Sequence, residues 1–214
     1  MDPALRARAI EARTALIAGT LRGSALADLL QSIAWDERDA FTDELLMIGP
    51  PVADIPLPRG SVPYLPCGVD EILALVRDVP LRVGEDELVD IGSGLGRVAI
   101  LVHLLTGARA SGIEIQPQLV EHARETCNSL GLTGVTFVNA NAAGSSLDGS
   151  VFFLYAPCNG AMLAAVIDRL ADVARRRPIT VCTVGLELPD VSWLSPRTGS
   201  SLTLSLYGSG TLPP

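Results

Sequence analysis

Five residues within one seven-residue stretch carry the clearest chemistry in this chain: Asp90, Gly92, Ser93, Gly94 and Gly96. Glycine tolerates positive φ and lets a ligand approach the backbone closely, so alternating glycines shape a turn that holds something. Leu88 to Ile91, ahead of the turn, is a short apolar run that predicts a buried strand. Beyond it, Val98, Ile100, Leu101 and Leu104 recur at helical spacing. The start of such a helix offers free N–H groups and a positive dipole end to an anionic group. The stretch is therefore a cradle for a nucleotide-type ligand. A P-loop needs Gly-Lys-[Ser/Thr], and this chain contains no lysine. The dinucleotide fingerprint G-x-G-x-x-G needs glycine where Arg97 stands.

A second group of candidates lies downstream. Glu114 closes a short predicted strand about twenty residues after the turn, a spacing at which an acid can accept both ribose hydroxyls. Tyr155 ends another predicted strand and is followed by Ala156-Pro157-Cys158-Asn159-Gly160. Open α/β sheets bind ligands beyond the C-terminal ends of their strands, which places Tyr155 beside the ligand, where its hydroxyl can orient a reacting group; Cys158 can serve as a small apolar wall. His103 and His122 fall within predicted helices without a second ligand at suitable spacing, so no metal site is expected. The four cysteines are widely spaced with no C-x-x-C, which argues against a zinc or disulfide framework.

The stretch Asp90-Ile91-Gly92-Ser93-Gly94-Leu95-Gly96 resembles motif I of the class I (seven-strand) S-adenosylmethionine-dependent methyltransferases, [D/E]-x-G-x-G-x-G. The resemblance implies a cofactor, S-adenosyl-L-methionine, held by Asp90, Gly92, Ser93, Gly94 and Gly96. It further implies that Glu114 binds the ribose and that adenine lies against Ile115. Asn141-Ala142 is similar to the family's Gly-Asp-Ala adenine motif, with Ala140 for Gly and Asn for Asp. An asparagine amide oxygen can still accept from the adenine amino group, while a local turn is the alternative role for Asn141. Tyr64-Leu65-Pro66-Cys67 resembles the Tyr/Phe-x-Pro-[Ser/Thr] segment that closes the pocket in several such groups, with cysteine in place of the hydroxyl residue. Tyr64 then either touches the cofactor or packs. Of the Asn/Asp-Pro-Pro-aromatic motif of amide and amine methyltransferases only Pro157 is present, so no acceptor is named by motif. Phe152-Phe153-Leu154-Tyr155 with its proline-containing turn distantly resembles the non-SET histone-lysine methyltransferases, in fold rather than in substrate.

The elements that must position these residues follow from pattern and punctuation. Residues 1–48 predict a helical cap: a helix over 3–18, a second over 25–33 capped by Ser24, and a third from Asp36 to Met47. The cap is either a packing appendage or a lid. Residues 49–68 hold six of the fifteen prolines and predict a stiff, irregular strap. Residues 69–214 predict a Rossmann-like domain, with strands near 87–91, 110–115, 135–139, 150–155 and 179–184. A short polar turn over 144–149 leaves little room for a helix between the third and fourth strands. Val191 to Leu194 and the alternating Ser201 to Tyr207 predict a terminal antiparallel hairpin about a turn at Ser195–Gly199. The fold class is α/β: a doubly wound, mostly parallel seven-strand sheet with a C-terminal antiparallel hairpin and an N-terminal helical extension.

The chain has 214 residues, 48% of them apolar, and a formal net charge of −8. That charge disfavours nucleic acid and anionic membranes as partners. Arg175-Arg176-Arg177 closes a predicted helix, where cations complement the dipole. No apolar run reaches a membrane span and the N-terminus lacks a signal-peptide layout, so the expected location is cytoplasmic. The expected function is methyl transfer to a small-molecule or protein acceptor. A non-catalytic S-adenosylmethionine-binding regulatory module is the alternative. An NAD(P)-dependent oxidoreductase is disfavoured by Arg97 and by the hairpin.

Overall fold

The computed structural model describes residues 1–49, 56–199 and 201–210; part of the expected strap, residues 50–55, lies outside them. The chain opens with three helices, α1 (Pro3–Ile17), α2 (Gly23–Gln31) and α3 (Trp35–Leu46). Asp2 caps α1, its carboxylate accepting from the N–H groups of Ala4 and Leu5 at 2.7 and 3.2 Å, with Pro3 preorganised at the first position. The caps expected for the next two helices differ. Arg22, extended and with no side-chain capping bond, precedes α2, so Ser24 sits inside its first turn. Ala34 precedes α3, and Asp36 lies within the first turn, where its charge complements the helix dipole instead of capping it.

The remainder alternates strand and helix: α4 (Val69–Asp78), β1 (Glu87–Ile91), α5 (Arg97–Thr106), β2 (Arg109–Glu114), α6 (Pro117–Ser129), β3 (Val135–Asn139), β4 (Val151–Tyr155), α7 (Gly160–Ala174), β5 (Thr180–Val184), β6 (Leu194–Arg197) and β7 (Leu204–Ser209). Between β3 and β4 the helix is replaced by a single 3-10 turn, Ala142–Gly144. The strands form one seven-stranded sheet in the order β3-β2-β1-β4-β5-β7-β6. β1 to β5 pair in parallel, whereas β7 runs antiparallel between β5 and β6. A dinucleotide sheet of order 3-2-1-4-5-6 has no such inserted strand. The hairpin differs in register from expectation: Ser195, Pro196 and Arg197 belong to β6 rather than to the turn. Proline is tolerated there because β6 is the sheet edge and needs no outward N–H.

Alternation along each strand divides the apolar residues between two faces. Val151 and Phe153 of β4 join one core cluster, Phe152 and Leu154 the other. The first face is covered by α4, α5 and α6, and its cluster continues outward through Phe41 and Leu45 of α3, Leu26 and Leu30 of α2, and Leu16 of α1. The N-terminal helices thus share their apolar core with the sheet. The second face is covered by Val166, Leu170 and Val173 of α7, and towards β6 by Leu186, Leu188 and Trp193 of the β5–β6 connection. Among the described residues no helix is long and apolar enough to cross a membrane.

Parallel register brings the candidate residues to one edge. Ile91 lies opposite Ile113 on one side and Leu154 on the other, so the residues just beyond β1, β2 and β4 emerge together. The N–H groups of Gly92 and Ser93 both donate to Ile113 O, at 2.8 and 3.2 Å, which carries the sheet pairing into the turn.

Candidate functional site

The glycine turn is built on left-handed backbone. Gly92, Gly94 and Gly96 have φ of 80°, 53° and 85°. At all three space forbids a side chain as well: a Cβ on Gly92 would run into Pro157, one on Gly94 into the ring of Tyr64, and one on Gly96 into the ring of Phe137. Only glycine fits both the conformation and the gap. Gly92 borders the ligand-sized space described below, but Gly94 lies beneath Tyr64 and Gly96 against Phe137, so these two shape the turn without lining the cleft.

Glu114 is buried at the end of β2 and braces this turn. One carboxylate oxygen accepts from Gly94 N–H at 2.9 Å, the other from Gln116 N–H at 2.9 Å. Each oxygen keeps acceptor capacity, and Glu114 faces the cleft.

Beside it, Asp90 is 3% exposed and its Oδ2 has no hydrogen-bond partner; the buried Ser93 Oγ has none either. Burial, helped by the nearby Glu114, pushes the Asp90 carboxyl pKa up to about 8. Buried polar atoms are nearly always paired, and the two residues that carry these orphans both border one hollow, which suits it to a polar group. That hollow is lined by Asp90, Ser93, Gly92, Cys67, Arg97, Tyr64 and Tyr155.

A larger cleft adjoins it, about 790 Å³ including its open mouth. One wall is Gly92, Glu114, Ile115, Gln116, Asn141 and Ala142; the other is Tyr155, Pro157, Cys158 and Met162. Its mainly apolar lining suits an organic ligand. Tyr64, Gly92 and Tyr155 border both spaces. Ile115 and Ala142 line the cleft. Asn141 also lines the cleft, but its Oδ1 accepts from Ala143 N–H at 3.0 Å and caps the 3-10 turn, which is the local role left open above.

The strap forms the roof. Ser61 pairs with Cys158 in an antiparallel bridge, flanked by Val62 N–H to Pro157 O at 3.1 Å and Asn159 N–H to Gly60 O at 2.8 Å. Beneath it Ala156 takes φ 40°, an unfavourable conformation for a residue with a side chain, held by its neighbours at the end of β4. Burial pushes the Tyr64 hydroxyl up to about 12. Burial also raises the Tyr155 hydroxyl, with the charges of Cys67, Glu71 and Asp39 adding to it.

Arg97 is the residue whose role the sequence concealed. It enters the motif argument only as a missing glycine, yet it is 3% exposed and fully engaged. Its Nε donates to Asp43 Oδ1 at 3.0 Å and its Nη1 to Cys67 O at 2.7 Å; Asp39 Oδ2 lies 3.4 Å from Nη1. Burial alone would lower its pKa, but the charge and hydrogen bonds of Asp43, then Asp39, outweigh that. The available signal was the pair Asp39 and Asp43, two acids one helical turn apart on α3. Among the described residues no group of three or more His, Cys, Asp or Glu is placed to hold a metal ion.

Strand order, the antiparallel β7 and the glycine turn at the end of β1 define the class I, seven-strand methyltransferase fold. Two solved structures carry the same fold at low identity. A point mutant of MtNAS in complex with S-adenosylmethionine is 20% identical, aligning over 66% of this chain and 59% of that one with a TM-score of 0.51. A chain from a structure concerned with the conversion of a disulfide bond into a thioacetal group during echinomycin biosynthesis is 16% identical over 65% of this chain and 81% of that one, with a TM-score of 0.52. In sequence, the chain is similar to adenine nucleotide translocase lysine N-methyltransferase of Mus musculus, 32% identical over 102 residues. The match spans 46% of this chain and 42% of that protein, less than half of either. No family model matches the chain.

Proposed function

We propose that this chain is an S-adenosylmethionine-dependent methyltransferase acting on an amine. The observation that carries the cofactor is the pair of orphaned buried groups, Asp90 Oδ2 and Ser93 Oγ, in a hollow continuous with a cleft that ends at Glu114. An ionised Asp90 suits the ammonium of an amino-acid moiety, the Ser93 hydroxyl suits its carboxylate, and Glu114 suits ribose hydroxyls. Ile115 and Ala142 offer apolar surface for a base, and Asn141 stands beside them. The mutant of MtNAS with a similar fold holds S-adenosylmethionine.

When bound, this cofactor supplies an already activated methyl group, so the protein's task is alignment and exclusion of water. Tyr155 and the turn after β4 form one wall of the cleft, and the Tyr155 hydroxyl can orient the acceptor. Neither histidine borders the cleft. An amine suits such a site once its ammonium has lost a proton to water, because the free amine then needs no protein base. The acidic charges of Glu71 and Asp39 act on Tyr155 and would draw a cationic side chain inward. The mouse protein similar to this chain is a lysine N-methyltransferase by name, which supports lysine as the first acceptor to try.

Isothermal titration with S-adenosylmethionine, its demethylated product and NADH tests the cofactor, followed by transfer of labelled methyl to lysine-containing peptides. Binding of the first two and not of NADH, with label on the lysine amine, is expected. NADH binding in their place overturns the assignment. Cofactor binding without transfer to any amine favours the non-catalytic module.

A further inference from the structure

We propose that Asp43 of α3, acting through Arg97, is a positioning residue that holds Tyr64 on the glycine turn, so that the N-terminal helices complete the cofactor site. The proposal rests on the cofactor reading above for its ligand, but its geometry stands independently.

Arg97 is the first residue after the last glycine of the turn and the first of α5. Its guanidinium reaches in two directions. Nε and Nη2 grip Asp43 on α3, and Nη1 holds the carbonyl of Cys67, three residues beyond Tyr64 in the strap. Asp39, one turn before Asp43, accepts from Val69 N–H at 2.9 Å and so holds the other end of the same short segment. The strap between Tyr64 and Val69 is therefore pinned at Cys67 by Arg97 and at Val69 by α3. Tyr64 lies between this anchor and the backbone bonds that hold Gly60 and Val62 to the turn after β4, with its ring on Gly94 between the two hollows. With Nε and both terminal nitrogens engaged by protein, Arg97 acts on a ligand through what it positions.

A purely stabilising ion pair between the helices would look different, and one is present for comparison. Arg38 of α3 pairs with Asp70 of α4 and donates to Leu30 O at 2.8 Å and Ile33 O at 2.9 Å. It fastens α3 to its neighbours and touches neither Arg97 nor the strap's carbonyls.

The test compares Asp43→Asn with Arg38→Gln. Asp43→Asn leaves Arg97 its bonds to Cys67 O and its contact with Asp39, so the chain keeps the means to fold. Hydrogen exchange across residues 62–69, needing no ligand, should be about tenfold faster in Asp43→Asn than in the wild type, and unchanged in Arg38→Gln at matched melting temperature. S-adenosylhomocysteine should bind about tenfold more weakly to Asp43→Asn. Because the effect runs through Tyr64, the same substitution should add less than about twofold in a Tyr64→Ala background. Unchanged strap exchange, or equal loss of affinity in both backgrounds, overturns the proposal. A wild type that binds no S-adenosylhomocysteine sinks the cofactor reading alone, and the exchange comparison then decides this one.

Discussion

The ring of Tyr64 packs directly on the α-carbon of Gly94, leaving no room for a side chain there. This contact joins a strap residue to the middle of the glycine turn, and it brings both hollows to a shared wall.

Gly94→Ala should be destabilised by about 1–3 kcal/mol, since alanine at φ 53° is strained and its methyl group displaces Tyr64. Combining it with Tyr64→Ala should relieve the collision and leave the strain. Urea denaturation of the single and double variants measures both parts, and a Gly94→Ala protein as stable as wild type would contradict the geometry.

Asp90 gives opposite signs for stability and binding. Its folded pKa of about 8 lies above the ordinary 3.8, so the folded state holds a proton that the unfolded chain has released. The stability this contributes is complete below about pH 4 and is lost as pH rises through about 8. Asp90→Asn has no such proton to lose, so its melting temperature should exceed that of the wild type by a margin that widens over this range. Its affinity for S-adenosylmethionine should fall about tenfold or more at pH 8, where the wild-type carboxylate is ionising. A constant melting difference across pH 4–9 would refute the linkage.

Glu114→Ala should weaken S-adenosylmethionine binding by about 1–3 kcal/mol through loss of charged hydrogen bonds. It should also lower the melting temperature without ligand, because the N–H groups of Gly94 and Gln116 lose their acceptor. Titration calorimetry and thermal melts on one preparation separate the two effects.

Asn141 caps the 3-10 turn, so Asn141→Ala should cost about 1 kcal/mol of stability, and Asn141→Asp should retain it. Equal melting of the three proteins would show the cap to be idle.

Much of this molecule was legible because its signals are local. The strand–turn–helix at Leu88 to Leu104, the acid at the end of β2 and the short polar link before β4 each follow from neighbouring residues alone. The helix caps were harder: Ser24 and Asp36 have capping chemistry, but the chain enters each helix one or two residues earlier. The β6–β7 register was missed because Pro196 suggests a turn until its place at the sheet edge is known. The roles of Arg97, Asp43 and the Cys67 carbonyl depend on contacts between α5, α3 and the strap, 30 to 54 residues apart in sequence. No local pattern encodes such a meeting.

The bridge between Ser61 and Cys158 has a kinetic consequence. It closes a loop of nearly a hundred residues, so its entropy cost falls due only after the sheet has brought β4 into place, and the roof assembles late. Two backbone hydrogen bonds secure it, each contributing about 1 kcal/mol net. Breaking those two bonds frees the strap at Gly60 to Val62 while the seven strands stay paired, since neither bond belongs to the sheet.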